Sequence, residues 1–419
     1  MKGIIVMIEI KRNQYLNELI TARENKLIKV VTGIRRCGKS YLLDPIFKNY
    51  LLESGVKEDH IVKLDLDLIE NKKYREPMEL FNYVMSMVND KGMHYILLDE
   101  IRLVKNFEEV LNSFLKKTNL DVYVTGSNSK FLSSDIITEF RGRSTEIKVY
   151  PLSFSEFVEL KNIPIDLAWK EYILYGGLPP VVLQENEKQK NEYLHSLFET
   201  TYLKDIIERN EIKRKDVLDS IVNILASSIG SLTNPMNIYK TYMSNGDKDI
   251  SINTITSYIE HLENAFLVKK VERYDIKGRK YVSTPFKYYF TDLGLRNVRL
   301  NFRQQEENHI MENIIFNELL VRGYNVDVGV VESRNHSGRI YYEIDFICNM
   351  SSNRYYIQSA LNIDSPEKNY QESRPLNCIG DNFKKIIVVK DDITPWHNDA
   401  GILIIGIKDF LLNKNSFDL

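Results

Sequence analysis

The chain has little cysteine: Cys37, Cys348 and Cys378 are its three, scattered over 419 residues. They form no metal-ligand spacing and no disulfide framework, which suits a reducing cytosol and makes the cytoplasm the expected location. Net charge is almost absent as well, at −2. That excludes a global basic field for nucleic acid, while a local basic face stays compatible with it. No run of about 18 apolar residues occurs, so no transmembrane span and no membrane partner are expected. The opening Met1-Lys2-Gly3-Ile4-Ile5-Val6-Met7 is too short for a signal peptide, and Met7 is an alternative start. What the chain does have is length for two or three domains. Its hydrophobic fraction of 43% is enough to pack their cores.

Residues 30 to 40 read Val-Val-Thr-Gly-Ile-Arg-Arg-Cys-Gly-Lys-Ser. Gly33 to Ser40 is G-x-x-x-x-G-K-S, the pattern of a phosphate-binding loop. Glycines at 33 and 38 let the backbone curl around an anion. The N–H groups of Ile34, Arg35, Arg36, Cys37 and Gly38 and the following helix N-terminus then face it. Lys39 is placed to reach the β- and γ-phosphates, and Ser40 to hold Mg²⁺. Cys37 is either a thiol open to reagents or simply a small residue in the loop. The run His94-Tyr95-Ile96-Leu97-Leu98-Asp99-Glu100 is an apolar strand ending in two carboxylates, about 60 residues further on. Asp99 is expected to bind Mg²⁺ and Glu100 to act as general base on the attacking water. ATP and Mg²⁺ are therefore the expected ligands.

Residues 27 to 150 alternate apolar strands, near 27–32, 61–66, 94–98, 121–125 and 146–150, with amphipathic helices. That pattern predicts an α/β fold with a parallel sheet. Ser127 or Asn128, after the fourth strand, is placed to orient the water or sense the γ-phosphate. Arg143, or Arg141 as second choice, is a candidate finger acting on a neighbouring subunit. Residues 155 to 210 read as helices around Tyr175-Gly176-Gly177-Leu178-Pro179-Pro180, a candidate lid. In the next stretch, Ser251 caps a helix with apolar spacing over 252–262, followed by a strand and a basic turn at Lys277, Arg279 and Lys280. This resembles a winged helix, with DNA through 251–280 as a candidate partner beside a protein client or a second copy of the chain. In the last third, Glu312 and Glu318 on a helix, Asp345 on a strand and Gln358-Ser359-Ala360 on the next match the layout of a metal-dependent nuclease. The acid and lysine of its E-x-K triplet are missing, so nuclease activity is expected to be lost.

Taken in order, Thr32 to Ser40, Leu98-Asp99-Glu100-Ile101, Thr125 to Ser129, Gly142-Arg143, Pro151 to Phe157, Tyr175 to Pro179 and Glu343 to Phe346 resemble a family of bacterial and archaeal AAA-type ATPases. Members pair an N-terminal P-loop domain with a C-terminal domain of restriction-endonuclease-like fold. The resemblance implies ATP binding through Gly33 to Ser40 and an acidic pair at Asp99 and Glu100. The family usually has glutamine where this chain has Arg102. The expected division is 1–155 for the ATPase domain, 156–210 for a helical lid or linker, 211–304 for the winged-helix-like domain and 305–419 for the degenerate nuclease-like domain. The expected function is slow, Mg²⁺-dependent ATP hydrolysis that drives a switch. The alternatives are a DNA-binding regulator or nuclease-like protein controlled by nucleotide, and a non-enzymatic protein-interaction switch.

Overall fold

The computed structural model describes residues 10–126, 142–244, 250–303, 306–335 and 338–419. It divides into two compact units, Met1–Pro151 with Asn264–Phe266, and Leu152–Glu263 with Leu267–Leu419. Ser127, Asn128 and Arg141 lie outside the described residues.

The first unit is built on five strands: β1 (Ile28–Thr32), β2 (Ile61–Asp65), β3 (His94–Asp99), β4 (Leu120–Thr125) and β5 (Ser144–Lys148). All pair in parallel, in the order β2-β3-β4-β1-β5. The expected strands all form, with the fifth beginning two residues earlier. The apolar runs Ile28 to Thr32 and Tyr95 to Leu98 are buried throughout, as strands covered on both faces must be. Removing each large aliphatic side chain from water contributes roughly 1.5–3 kcal/mol. A charged pair shares that core. The Lys29 ammonium meets the Asp121 carboxylate and lies over the Tyr123 ring, so the buried charge is paired. The described helices of this unit are α1 (Asn13–Thr21), α2 (Lys39–Tyr41, Leu42–Phe47 and Lys48–Glu53 in succession), α3 (Pro77–Met87) and α4 (Phe107–Leu115). Helix α2 is interrupted at Asp44, whose φ of −144° is extended.

The second unit opens with α5 (Phe154–Lys161), α6 (Ile165–Tyr175), α7 (Pro179–Val182), α8 (Glu187–Leu197) and α9 (Lys204–Arg209). The Pro151-to-Phe157 motif is a capping box. Ser153 Oγ accepts from the Glu156 N–H at 3.3 Å, and the Ser153 N–H donates to the Glu156 carboxylate at 3.0 Å. There follow α10 (Lys215–Ser227), α11 (Pro235–Ser244) and α12 (Ile252–Asn264), then the hairpin β6 (Val268–Asp275) and β7 (Lys280–Phe290). The cap on α12 is as expected, with the Thr254 N–H donating to Ser251 Oγ at 3.2 Å. Helix, strand, basic turn and strand follow one another from 252 to 290 in the expected order.

One sheet crosses the expected boundary at 304/305. Strand β6 also pairs in parallel with β8 (Asn325–Asn335), Arg273 opposite Val328. An open strand edge needs partners for its N–H and C=O groups, and β8 supplies them. Past α13 (Leu293–Arg299) and α14 (Glu307–Val321), the sheet is completed by β9 (Gly338–Met350), β10 (Asn353–Ala360), β11 (Lys384–Val389), β12 (Trp396–His397) and β13 (Leu403–Gly406). Helix α15 (Pro366–Asn377) joins β10 to β11, and α16 (Ile407–Leu412) follows β13. One eight-stranded sheet, β12-β13-β11-β10-β9-β8-β6-β7, thus spans both expected segments.

Candidate nucleotide site

In a parallel sheet, ligands bind beyond the carboxyl ends of the strands, at the point where strand order reverses. Here β1 sits between β4 and β5, and the loop after β1 emerges at that edge. Gly33 and Gly38 have φ of +135° and +99°. A Cβ on Gly33 would stand 2.0 Å from the Val149 carbonyl oxygen, so the tight curl excludes any side chain there. Cys37 is fully buried, with Sγ 3.4 Å from the same oxygen. That supports the small-residue reading over a reagent-accessible thiol. Ile34 is buried, Arg35 half-buried and Arg36 exposed.

Lys39 is 7% exposed, and its ammonium donates to the carbonyls of Gly33 and Ile34 at 2.9 and 3.0 Å. The charge is thereby held inside the loop. Ser40 Oγ donates to Asp99 Oδ2 at 2.8 Å. Asp99 Oδ1 accepts from the Thr125 hydroxyl, and Thr125 Oγ1 in turn accepts from the Glu100 N–H at 2.9 Å. Burial raises the Asp99 pKa, the Thr125 and Ser40 hydroxyls act the other way, and the neighbouring Glu100 and Asp65 charges add to the rise. A largely buried carboxylate touching a serine hydroxyl fits a divalent cation held by oxygen ligands. Ser40 and Asp99, both expected as metal ligands, are therefore in contact.

Glu100 has a left-handed backbone, φ +52°. Its carboxylate accepts from Arg102 Nε at 2.6 Å, at a side-chain exposure of 17%. The residue at 102 thus engages the candidate base itself. Arg143 lies elsewhere. Its carbonyl accepts from the Ile28 N–H, and Ser144 is level with Ile28 while Lys148 is level with Thr32. Arg143 is therefore at the edge of the sheet opposite the loop, roughly 16 Å away along the strand. The sequence reading overlooked Thr125, though it is the last polar residue of a strand ending beside the loop, and Asp65, which is level with Asp99.

The second unit gathers its own charged groups. Lys287, on β7, lies 2.7 Å from Glu312, 2.9 Å from Glu343 and 3.5 Å from Asp345. The Tyr289 hydroxyl also donates to Glu312, and the Ser359 N–H donates to Asp345 at 2.8 Å. Burial pushes Asp345 up to about 7, reinforced by the Glu312 charge. Burial also disfavours the Lys287 ammonium, but Glu312, Asp345 and Glu343 outweigh it and raise its pKa. Glu312 and Asp345 come together as expected. Gln358 and Ala360 follow on β10. Glu318 is apart from them, paired with Arg322 at 2.7 Å. Lys287 was not anticipated. Its only signal is a lone lysine within the strand run Phe286-Lys287-Tyr288-Tyr289-Phe290.

Loop, acidic pair and strand order together define a P-loop nucleotide-binding domain of AAA type. A family model described as an AAA domain matches residues 25–158, and one described as a domain of unknown function matches residues 166–306. An uncharacterized protein of Haemophilus influenzae is 36% identical over 409 residues, covering 96% of this chain and 98% of that protein. The chain belongs to the same family of AAA-domain proteins. An uncharacterized protein of Methanocaldococcus jannaschii is 28% identical over 363 residues, covering 81% of this chain and 76% of that protein. Among solved structures, a Walker-type ATPase of Pyrococcus abyssi covers 70% of this chain and 96% of that one, at 16% identity and a TM-score of 0.49. The matched models carry the AAA expectation; neither describes a winged helix or a nuclease fold. No helix among the described residues is long and apolar enough to cross a membrane.

Proposed function

We propose that the chain binds ATP through Gly33 to Ser40 and hydrolyses it slowly, as a nucleotide-driven switch. The contact that supports this most directly is Ser40 on Asp99, with Thr125 bridging Asp99 to the backbone of Glu100. It brings hydroxyl, carboxylate and candidate base to the mouth of the loop that Lys39 closes. Lys39 leaves the Gly33 and Ile34 carbonyls for the phosphates, an exchange of neutral acceptors for charged ones. Ser40 and Asp99 hold Mg²⁺, which neutralises phosphate charge. Glu100 accepts the proton of the attacking water once Arg102 releases it. Asn128, beyond the described residues, retains its proposed role at the γ-phosphate.

The acidic cluster of the second unit is read as closed. Lys287 supplies, from within the chain, the positive charge that three carboxylates would otherwise take from a metal ion. The nuclease chemistry sketched by Glu312 and Asp345 is therefore silent. Glu260 and Glu263, with no lysine or arginine on α12, disfavour DNA as the client of that helix.

The test is ATP turnover by the full chain with Mg²⁺, with and without duplex DNA, beside Lys39→Ala and Glu100→Gln. Turnover lost in both variants and indifferent to DNA supports the proposal with a protein client. Stimulation by DNA moves the client to nucleic acid. Normal turnover in Lys39→Ala overturns the site. Mg²⁺- or Mn²⁺-dependent nicking that Asp345→Ala abolishes overturns the closed reading of the second unit.

A further inference from the structure

A second set of ligating side chains lies at the amino-terminal edge of the same sheet, away from the loop. His60 ends the turn Glu58–His60 that leads into β2, His94 is the first residue of β3, and Asp90 precedes β3 in the connection from α3. One ligand atom from each lies within 4.8 Å of the others. The hydrogen bonds around them fix which atoms are available. His60 Nδ1 is 3.1 Å from the Met93 carbonyl oxygen, and His94 Nδ1 is 2.9 Å from that of Gly92. A carbonyl only accepts, so both Nδ1 atoms carry the proton. In a neutral ring so held, Nε2 presents a bare lone pair. His94 is fully buried, yet its Nε2 has no hydrogen-bond partner among the described residues. His60 Nε2 faces Asp90 Oδ2 at 3.2 Å, a contact that a proton or a metal ion must bridge.

Asp90 is also held in place. Its Oδ1 accepts from the Gly92 N–H at 2.6 Å, and its backbone carbonyl accepts from Asn119 Nδ2 at 3.3 Å. A Cβ on Gly92 would stand 2.7 Å from His60 Cε1, so Gly92 leaves the room that the His60 ring occupies. Imidazoles that donate Nδ1–H to carbonyls while presenting Nε2 are the usual outer-sphere arrangement of histidine metal ligands.

We propose that His60, Asp90 and His94 bind one divalent ion of the zinc type. Two imidazoles and one carboxylate suit zinc or a neighbouring transition metal, and leave a fourth position for water. Asp90 is about half exposed, 49%, and His60 is 14% exposed, so the site opens to solvent. The two rings now stack, with centroids 4.4 Å apart and planes at 15°. Closing all three ligand atoms on one ion would take a turn of the accessible His60 ring about its soft Cβ–Cγ torsion, lengthening its 3.1 Å Nδ1 contact to Met93. Imidazole ligands separate this site chemically from the all-oxygen Mg²⁺ position at Ser40 and Asp99. The ion ties the connection before β3 to the start of β2, so its binding stabilises the AAA unit.

Tag-free full-length protein, stripped with a chelator, is titrated with Co²⁺ while visible absorption and thermal unfolding are followed. The expected result is one equivalent of Co²⁺ with a four-coordinate spectrum, displaced by Zn²⁺. Tm should rise by roughly 5 °C or more at a hundredfold excess over Kd. His60→Gln and Asp90→Asn, both on accessible side chains, should fold, as circular dichroism will check, and weaken binding more than about tenfold. Lys39→Ala should bind Co²⁺ as the parent does, so failure of the ATPase reading leaves this result standing. No Co²⁺ uptake, or uptake unchanged in both ligand variants, overturns the proposal and leaves a proton-bridged His60–Asp90 pair.

Discussion

At the scale of single residues, the contact with the most direct consequence for turnover is Arg102 on Glu100. A general base must be free to accept a proton from water, and its position must be set by the nucleotide. Here a guanidinium holds the carboxylate at 2.6 Å. If Glu100 is the base, each turnover has to break a charge-assisted hydrogen bond before it can act. Arg102→Gln keeps a polar side chain but removes the charge. The expected outcome is a several-fold rise in kcat with KM for ATP unchanged, because no phosphate contact is lost. A fall in kcat in the same steady-state assay would mean that Arg102 serves the reaction instead of restraining it. That Ser40, Asp99 and Glu100 would be neighbours was legible in the sequence, because loop and acidic strand each carry a local signature. Thr125 was not, because a threonine at a strand end has no signature until its neighbours β1 and β3 are known.

At the scale of elements, periodicity and capping were readable and pairing was not. The five strands of the first unit and the cap of α12 follow from local runs of residues. The parallel pairing of β6 with β8 depends on segments some fifty residues apart, and nothing in either run announces it. The Gly176-Gly177 segment lies between these cases. Its helix break was expected, and the structure adds the reason for its backbone path. Asp292, fully buried at the start of α13, accepts from the Gly177 N–H at 2.8 Å and from the Leu295 N–H at 3.2 Å. One carboxylate thus caps α13 and secures the turn before α7. Burial raises its pKa to about 6, against the lowering pull of these N–H groups. A carboxyl whose folded pKa exceeds its unfolded value contributes stability that is full below about pH 4 and is lost as pH rises through 6. Asp292→Asn should remove that slope. Asp292→Ala should cost about 2–4 kcal/mol, since two buried N–H groups lose their acceptor. Trp169 and Trp396 are the chain's two tryptophans, and both fall in the second unit, so urea unfolding followed by their fluorescence reads this change directly. An unchanged midpoint in Asp292→Ala would deny Asp292 its tie between the turn and α13.

At the scale of the whole molecule, the sequence named Arg143 without saying whose nucleotide it serves, since strand register is invisible in a single chain of letters. The register of β5 on β1 sets Arg143 level with the start of β1, across the sheet from the loop. An extended arginine side chain covers less than half of the roughly 16 Å between them. If Arg143 stabilises transition-state charge, it therefore acts on a second copy, and activity must depend on assembly. Two inactive variants separate the roles. Lys39→Ala keeps Arg143 but cannot turn over its own nucleotide, whereas Arg143→Ala keeps an intact loop and offers no finger. Mixed in equal amounts and allowed to exchange subunits, they form interfaces where a good loop meets a good arginine. The expected outcome is turnover well above the sum of the two variants, rising more steeply than linearly with protein concentration. Two proteins that remain inactive when mixed, or an Arg143→Ala variant as active as the parent, would remove the arginine from the reaction and leave each chain hydrolysing ATP with Lys39, Ser40, Asp99 and Glu100 alone.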